Sequence, residues 1–384
     1  MKRILRDERG IALAVAIFAL VIVGALVAGA FFAGTQEQRV GENQRFVQRS
    51  FGVAEAGGGE RILSWQPDSM NRRPVYPAES VSIGPNLAAP GRTGTYGGYS
   101  YRLGTSLFLI DITGRDTRSA GGMAGGYGAR QRLGFITRLA PVEFNIRAAV
   151  TTQGGVNVQG NAQVNGADQN PIGWTSCDLP GAPQAGVRDK GGTVTTGGNG
   201  TVLGAPPVVN DPSLNDSSFT KFGHNSSYND LASRATITLP GGTYKTQPVA
   251  NGATCDKNVL TNWGDGMNPG APCGGYFPII HLTGSSTLNG DQGQGILLVD
   301  GNLNVDGSYQ FFGVVVIQGD LKTAGGGSTE AHFWGGVMSK NADLSTQNFS
   351  GKATMNFSNC AIINALQASS PTAMLRSRGW TQLY

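Results

Sequence analysis

Residues 10–36 run for twenty-seven positions without a charge, and Lys2, Arg3, Arg6 and Arg9 stand immediately before them. A helix needs about 20 apolar residues to cross the hydrocarbon core of a bilayer, so this run is long enough to span. The rest of the chain holds no second run of this kind. Basic residues ahead of a span predict a cytoplasmic N-terminus and an exported remainder. Whatever else this chain builds must hang from one helix at its start.

Three readings of the run compete. A removed secretory signal has an apolar region of about 7–15 residues closed by an A-x-A-like site. Ala28-Gly29-Ala30 supplies such a site, but the apolar run is too long. A plain uncleaved anchor fits the length and needs nothing more. In the third reading, Arg9-Gly10-Ile11 closes a short charged leader, where a prepilin peptidase would cut and leave Ile11 as the new N-terminus. The residues beyond the run favour the third. Val40, Val47, Phe51 and Ala54 recur at helical spacing, while Glu37, Arg39, Glu42, Arg45 and Arg49 fall mostly elsewhere. Gly57-Gly58-Gly59 is expected to end the helix, with a frayed turn to about Trp65. A helix from Ile11 to Ala56 would be roughly 70 Å long.

The segment Arg9-Gly10-Ile11-Ala12-Leu13-Ala14-Val15-Ala16, with the aliphatic run behind it, resembles the N-terminal region of PilX-type minor pilins. So does the block Glu37-Gln-Arg39-Val-Gly41-Glu-Asn43-Gln-Arg45, closed by Phe51-Gly-Val-Ala54-Glu55-Ala56. The resemblance covers residues 9–60 and says little of the rest. It implies an inner-membrane subunit of a type IV pilus or related secretion filament. Its partners would be other pilin subunits through the helix, the assembly machinery of the inner membrane and a prepilin peptidase. Cleavage after Gly10 would put Val15 where major pilins carry a glutamate. A carboxylate in hydrocarbon is retained where it has a partner, so its absence points away from a shaft subunit and toward one that starts or caps a filament.

Only 14% of residues are charged, against about 25% in ordinary soluble proteins, and 59 are Gly, so the exported part is read as folded but Gly-rich. A net charge of +4 is too small and scattered to indicate nucleic-acid binding. The expected division is a leader at 1–10, the helix at 11–63, a connector and small β region at 64–146, and a head at 147–384. In the head, short strand-like runs end at Gly or Asn corners. Ile296-Leu-Leu-Val-Asp-Gly301 is echoed eighteen residues on by Val314-Val-Val-Ile-Gln-Gly319. Repeats near twenty residues indicate a parallel β-helix or solenoid, with Leu297, Val299, Val315 and Ile317 stacked inward. An antiparallel β-sandwich is the competing architecture. The fold class is therefore mainly β with a long N-terminal α-helix. The less regular 167–275 reads as a long insertion, expected to carry a contact surface for a surface ligand, with a disordered or merely capping insertion as the alternative.

Cys177, Cys255, Cys273 and Cys360 fall in the exported part, where disulfides persist. Cys255 with Cys273 is the first pair expected, leaving Cys177 with Cys360; four reduced thiols are the alternative. Spacing suits neither zinc nor redox chemistry, and no cofactor is expected. His224, His281 and His332 lack a metalloprotease context and no G-x-S-x-G occurs. His281 reads as a satisfied strand residue. Asp291, Asp300, Asp306 and Asp320 adjoin Gly or Asn and read as turn residues sooner than a carboxylate cluster. Residues 262–268 offer oxygen ligands without the spacing of a calcium loop. The expected role is mechanical: a minor pilin-like subunit that starts or tips a filament, with a membrane-anchored surface adhesin as the alternative and no enzymatic activity.

Overall fold

The computed structural model describes residues 9–117, 128–140, 142–223, 226–324, 330–339, 348–350, 352–377 and 379–383. It is mainly β with one long N-terminal helix, α1 (Arg9–Leu63). The second half of α1 lies on an antiparallel sheet ordered β1 (Val81–Ala88), β2 (Thr95–Arg102), β3 (Leu107–Thr117) and β4 (Gly128–Leu139). β3 shows why. Phe108, Ile110 and Ile112 alternate along it and are all buried, as period-two patterning demands of a strand with one covered face. Ile110 and Ile112, with Tyr96, Leu133 and Phe135, form a small core around Val53 and Ala54 of α1.

The glycine run does not end the helix: α1 continues through Gly57, Gly58 and Gly59 to Leu63. A Cβ on Gly57 would stand 2.4 Å from the Tyr96 ring, and one on Gly58 would stand 2.2 Å from the ring of Phe135. From the sheet side, a Cβ on Gly114 would meet the backbone of Ser50 and Ala54 at 2.4 Å. Glycine in a helix interior costs about 1 kcal/mol against alanine, and here that cost is offset by bringing two aromatic rings onto the helix backbone. The expected helical face is buried only from Ser50 onward, because Val40 and Val47 lie beyond the sheet and stay exposed.

The head is built from an eleven-stranded and a seven-stranded sheet among the described residues, and their strands pair in parallel rather than as an antiparallel sandwich. The chain alternates between the sheets. The eighteen-residue echo is the offset between neighbours, setting Leu297 beside Val315 and Val299 beside Ile317. Gly295, Gly313 and Gly335 stand in register across Gln292–Val299, Gln310–Ile317 and Glu330–Ser339, with φ of +111°, +138° and +138°. Each glycine divides its long strand into two halves.

Those halves continue with different neighbours. The first half of Glu330–Ser339 pairs with Lys352–Phe357, and the second half with Ala148–Thr152. One layer of the stack is therefore composed of segments some two hundred residues apart. The chain enters in the middle at Ala148 and adds layers outward to Val208–Asn210. By way of residues 211–223 and 226–235 it reaches the far end at Ile237–Leu239, and then returns layer by layer to Lys352–Phe357.

Residues 167–275 accordingly contain strands of the stack, among them Ala185–Asp189, Thr201–Leu203 and Ile237–Leu239, and are not a single projecting insertion. Strands of three residues are too short to carry a readable period. The crossover covers the outer side of the second halves: Phe219, Phe222, Tyr228 and Leu231 join the core that contains Leu298 and Val316. Covering both sides is what lets Leu297-Leu298-Val299 and Val314–Ile317 run as unbroken apolar stretches.

The end of the chain also departs from the expected head. The helix Asn359–Ala368 lies against the long strands, with the Ala365 Cβ at the glycine column. Thr372–Met374 and Trp380–Leu383 then return to pair with β4 in the antiparallel sheet. The head is thus inserted between neighbouring strands of one sheet, β4 and the two segments that return to it.

Candidate functional site

α1 divides into two halves by environment. Leu13, Val15, Ile17, Phe18, Leu20 and Phe31 are all more than half exposed, and no described part of the chain covers them. The helix is long and apolar enough to cross a membrane. It fits a single-pass membrane protein. Gly10 and Ile11 belong to the helical backbone, and Val15 sits on the exposed apolar surface.

The seated half is held by more than apolar packing. Tyr96 donates to Glu60 Oε2 at 2.5 Å and accepts from Arg61 Nε at 3.2 Å. Burial, and then the Glu60 carboxylate, push the Tyr96 phenol above its ordinary pKa, so it stays protonated as the donor. Trp380, near the end of the chain, packs edge-on against Phe51 of α1, with centroids 5.7 Å apart. On the opposite face of the sheet, Arg132 grips Asp111 through both Nε and Nη2. That hydrogen-bonded carboxylate raises the Arg132 pKa.

A short strap connects stem and head. Trp65 packs on Phe108 and donates through Nε1 to Asn71 Oδ1 at 2.7 Å. Asn71, 2% exposed, donates in turn to the carbonyls of Gln367 at 2.6 Å and Ser370 at 2.8 Å. It thereby gives the Ser370 carbonyl a donor just past the end of the Asn359–Ala368 helix, and adds a second donor to the Gln367 carbonyl, which Ser370 N also reaches at 3.2 Å. No sequence pattern marked Asn71, since the carbonyls it donates to lie about three hundred positions away.

The four cysteines form Cys177–Cys360 and Cys255–Cys273. The first pins residues 167–185 to the start of the Asn359–Ala368 helix across 183 positions. His281 Nε2 lies 2.9 Å from Asp300 Oδ1, which also accepts from Tyr228 at 2.8 Å. Burial and Asp300 drive the Tyr228 pKa far upward, so the phenol serves as a fixed donor clamping the crossover to the stack. Among the described residues no group of three or more His, Cys, Asp or Glu side chains stands where it could hold a metal ion. Asp265 Oδ1 accepts from Asn268 and from Gln292, which holds the 262–268 loop onto the stack. His224 lies outside the described residues.

No family model matches the chain, and no curated protein does. Among solved structures, it aligns with the competence-associated pilin ComZ from Thermus thermophilus at 13% identity, over 88% of this chain and 96% of that one. The TM-score is 0.23, and a superposition that loose carries no argument about this chain.

Proposed function

We propose that this chain is a minor pilin-like subunit of a type IV pilus or related filament, of the PilX type, acting at assembly initiation or at the tip. The observation that carries this reading is the divided helix. Its apolar half is bare, while its second half is locked to a sheet through Gly57, Gly58 and Gly114. A plain anchor needs no rigid continuation of its span, whereas a filament subunit needs the apolar half delivered at a fixed angle to the body. Before assembly that half sits in the inner membrane with the N-terminus in the cytoplasm and the head exported. Within a filament, helices of other subunits replace lipid around it. We read the head as a parallel β-solenoid, too bulky for a shaft position, and its work as mechanical and interfacial, not catalytic.

Mass spectrometry of the mature protein tests the reading. Ile11 as N-terminus supports processing by a prepilin peptidase, while an N-terminus at Phe31 would mean a removed signal and end the filament reading. Intact Met1, combined with unchanged pilus number and lost surface binding on deletion, would favour the anchored adhesin.

A further inference from the structure

One outer surface of the stack carries a ladder that the filament reading leaves unused. Along the first halves of the long strands, Phe311, Phe333, Met355 and Val164 point into the core, so the alternate positions point out. Register sets Gln310, His332, Thr354, Gln163 and Thr201 in one outward column. Phe312, Trp334, Asn356, Asn165 and Leu203 form the second. Neither column holds an acid, a lysine or an arginine. Gln310, His332, Trp334, Thr354 and Gln163 are half-buried, and Thr201 and Leu203 are exposed. Phe312, Asn356 and Asn165 of the second column are buried, so the accessible surface is the first column with Trp334. Trp334 borders a cleft of about 200 Å³ with Ile172, Met267, Gln310 and Phe312.

The adjoining layer demonstrates what the amides do. There the columns continue as Gln292 and Gln294, and residues 262–276 lie over them. Gln292 accepts from Met267 N at 2.8 Å and donates to Asp265, while Gln294 donates to the Tyr276 carbonyl at 2.7 Å. From Gln310 onward no such loop among the described residues holds the Gln310 and Thr354 side chains, while Gln163 Nε2 reaches Thr201 Oγ1 at 3.5 Å.

We propose that this surface binds a linear neutral polysaccharide, stacked on Trp334 and hydrogen-bonded by Gln310, Thr354 and Gln163. Glutamine amides and threonine hydroxyls both donate and accept, which matches sugar hydroxyls that do the same. An indole face suits the C–H face of a pyranose. Strands repeat about every 4.8 Å, close to the length of one hexose in an extended chain, so successive layers meet successive sugars. An anionic polymer would find no lysine or arginine in either column, and a peptide joins sheets through backbone at an edge, whereas this is a face of side chains. The inference does not rest on the filament reading.

Calorimetric titration of the full chain in detergent with cellohexaose, mannohexaose, maltohexaose and chitohexaose tests it. Saturable binding of at least one is expected, weakened about tenfold or more by Trp334→Ala. Thr354→Val, which keeps shape, and Trp334→Phe are expected to weaken it severalfold with unchanged melting temperature. Absence of binding by all four sugars overturns the proposal. So does equal affinity in Trp334→Ala, or binding only of an anionic control such as oligoalginate. If no sugar binds and Trp334→Ala instead abolishes self-association in sedimentation, the surface is a protein contact and the proposal fails.

Discussion

At the scale of single residues, glycine decides the most. Gly57 and Gly58 look in sequence like a helix stop, because propensity is a local quantity. The structure uses them as the places where Tyr96 and Phe135 reach the helix backbone. Gly58→Val should therefore destabilise the stem by about 1–3 kcal/mol or more through overpacking, although valine is the better helix former, and denaturant titration should show it. Gly59, which has open space around it, should tolerate alanine with a small gain. In the head, a Cβ on Gly313 would stand 2.1 Å from the Gly295 carbonyl at a φ few side chains adopt. Gly313→Ala is expected to cost about 3 kcal/mol or more. Asp211 supplies a pH signature. The Ser213 hydroxyl, then Arg188, hold its carboxyl down at about 2 from an ordinary 3.8. Its stabilisation is complete above pH 3.8 and is lost as pH falls through about 2. Asp211→Asn should lower stability by about 1 kcal/mol at neutral pH and leave it unchanged near pH 2 in thermal melts.

At the scale of elements, the informative contacts join segments distant in sequence. The Cys177–Cys360 bond closes a loop of 183 positions and should contribute about 2–5 kcal/mol, so Cys360→Ser should lower the melting temperature more than Cys255→Ser does. Asn71→Ala removes donors to two carbonyls and the acceptor for Trp65, leaving buried groups unpaired at a cost of about 2–4 kcal/mol. Limited proteolysis should then cut near the end of the Asn359–Ala368 helix first. The even cysteine count and the spacing of Cys255 and Cys273 were legible from composition. Asn71 was not, because a cap supplied from another element leaves no local trace.

At the scale of the whole molecule, the head is an insertion bracketed by strands of the stem sheet. β4 leads into it, and Thr372–Met374 and Trp380–Leu383 bring the chain back to β4. The apolar half of α1 stands apart from this closed body and contributes nothing to its core. A chain beginning at Thr35 should consequently stay monomeric without detergent, with an unchanged melting temperature, in size-exclusion and calorimetric measurements. A chain ending at Pro371 should melt earlier, having lost the Trp380–Phe51 contact and two strands of the sheet.

The sequence by itself determined the charge-free helix, its amphipathic continuation, the mainly β exported body and the eighteen-residue repeat. Each of these is a periodicity or a composition, and both act over a few tens of residues. Only the tertiary structure decided that the helix runs unbroken through its glycines, which strands share a layer, and that the chain enters and leaves its stack in the middle. Those outcomes depend on which surfaces meet. A glycine beside an aromatic ring, or Lys352–Phe357 completing a layer with Ala148–Thr152, is favourable only once distant segments have been brought together. The same holds for the outward ladder around Trp334. Its members are scattered through the sequence and become one surface only through the register of parallel strands.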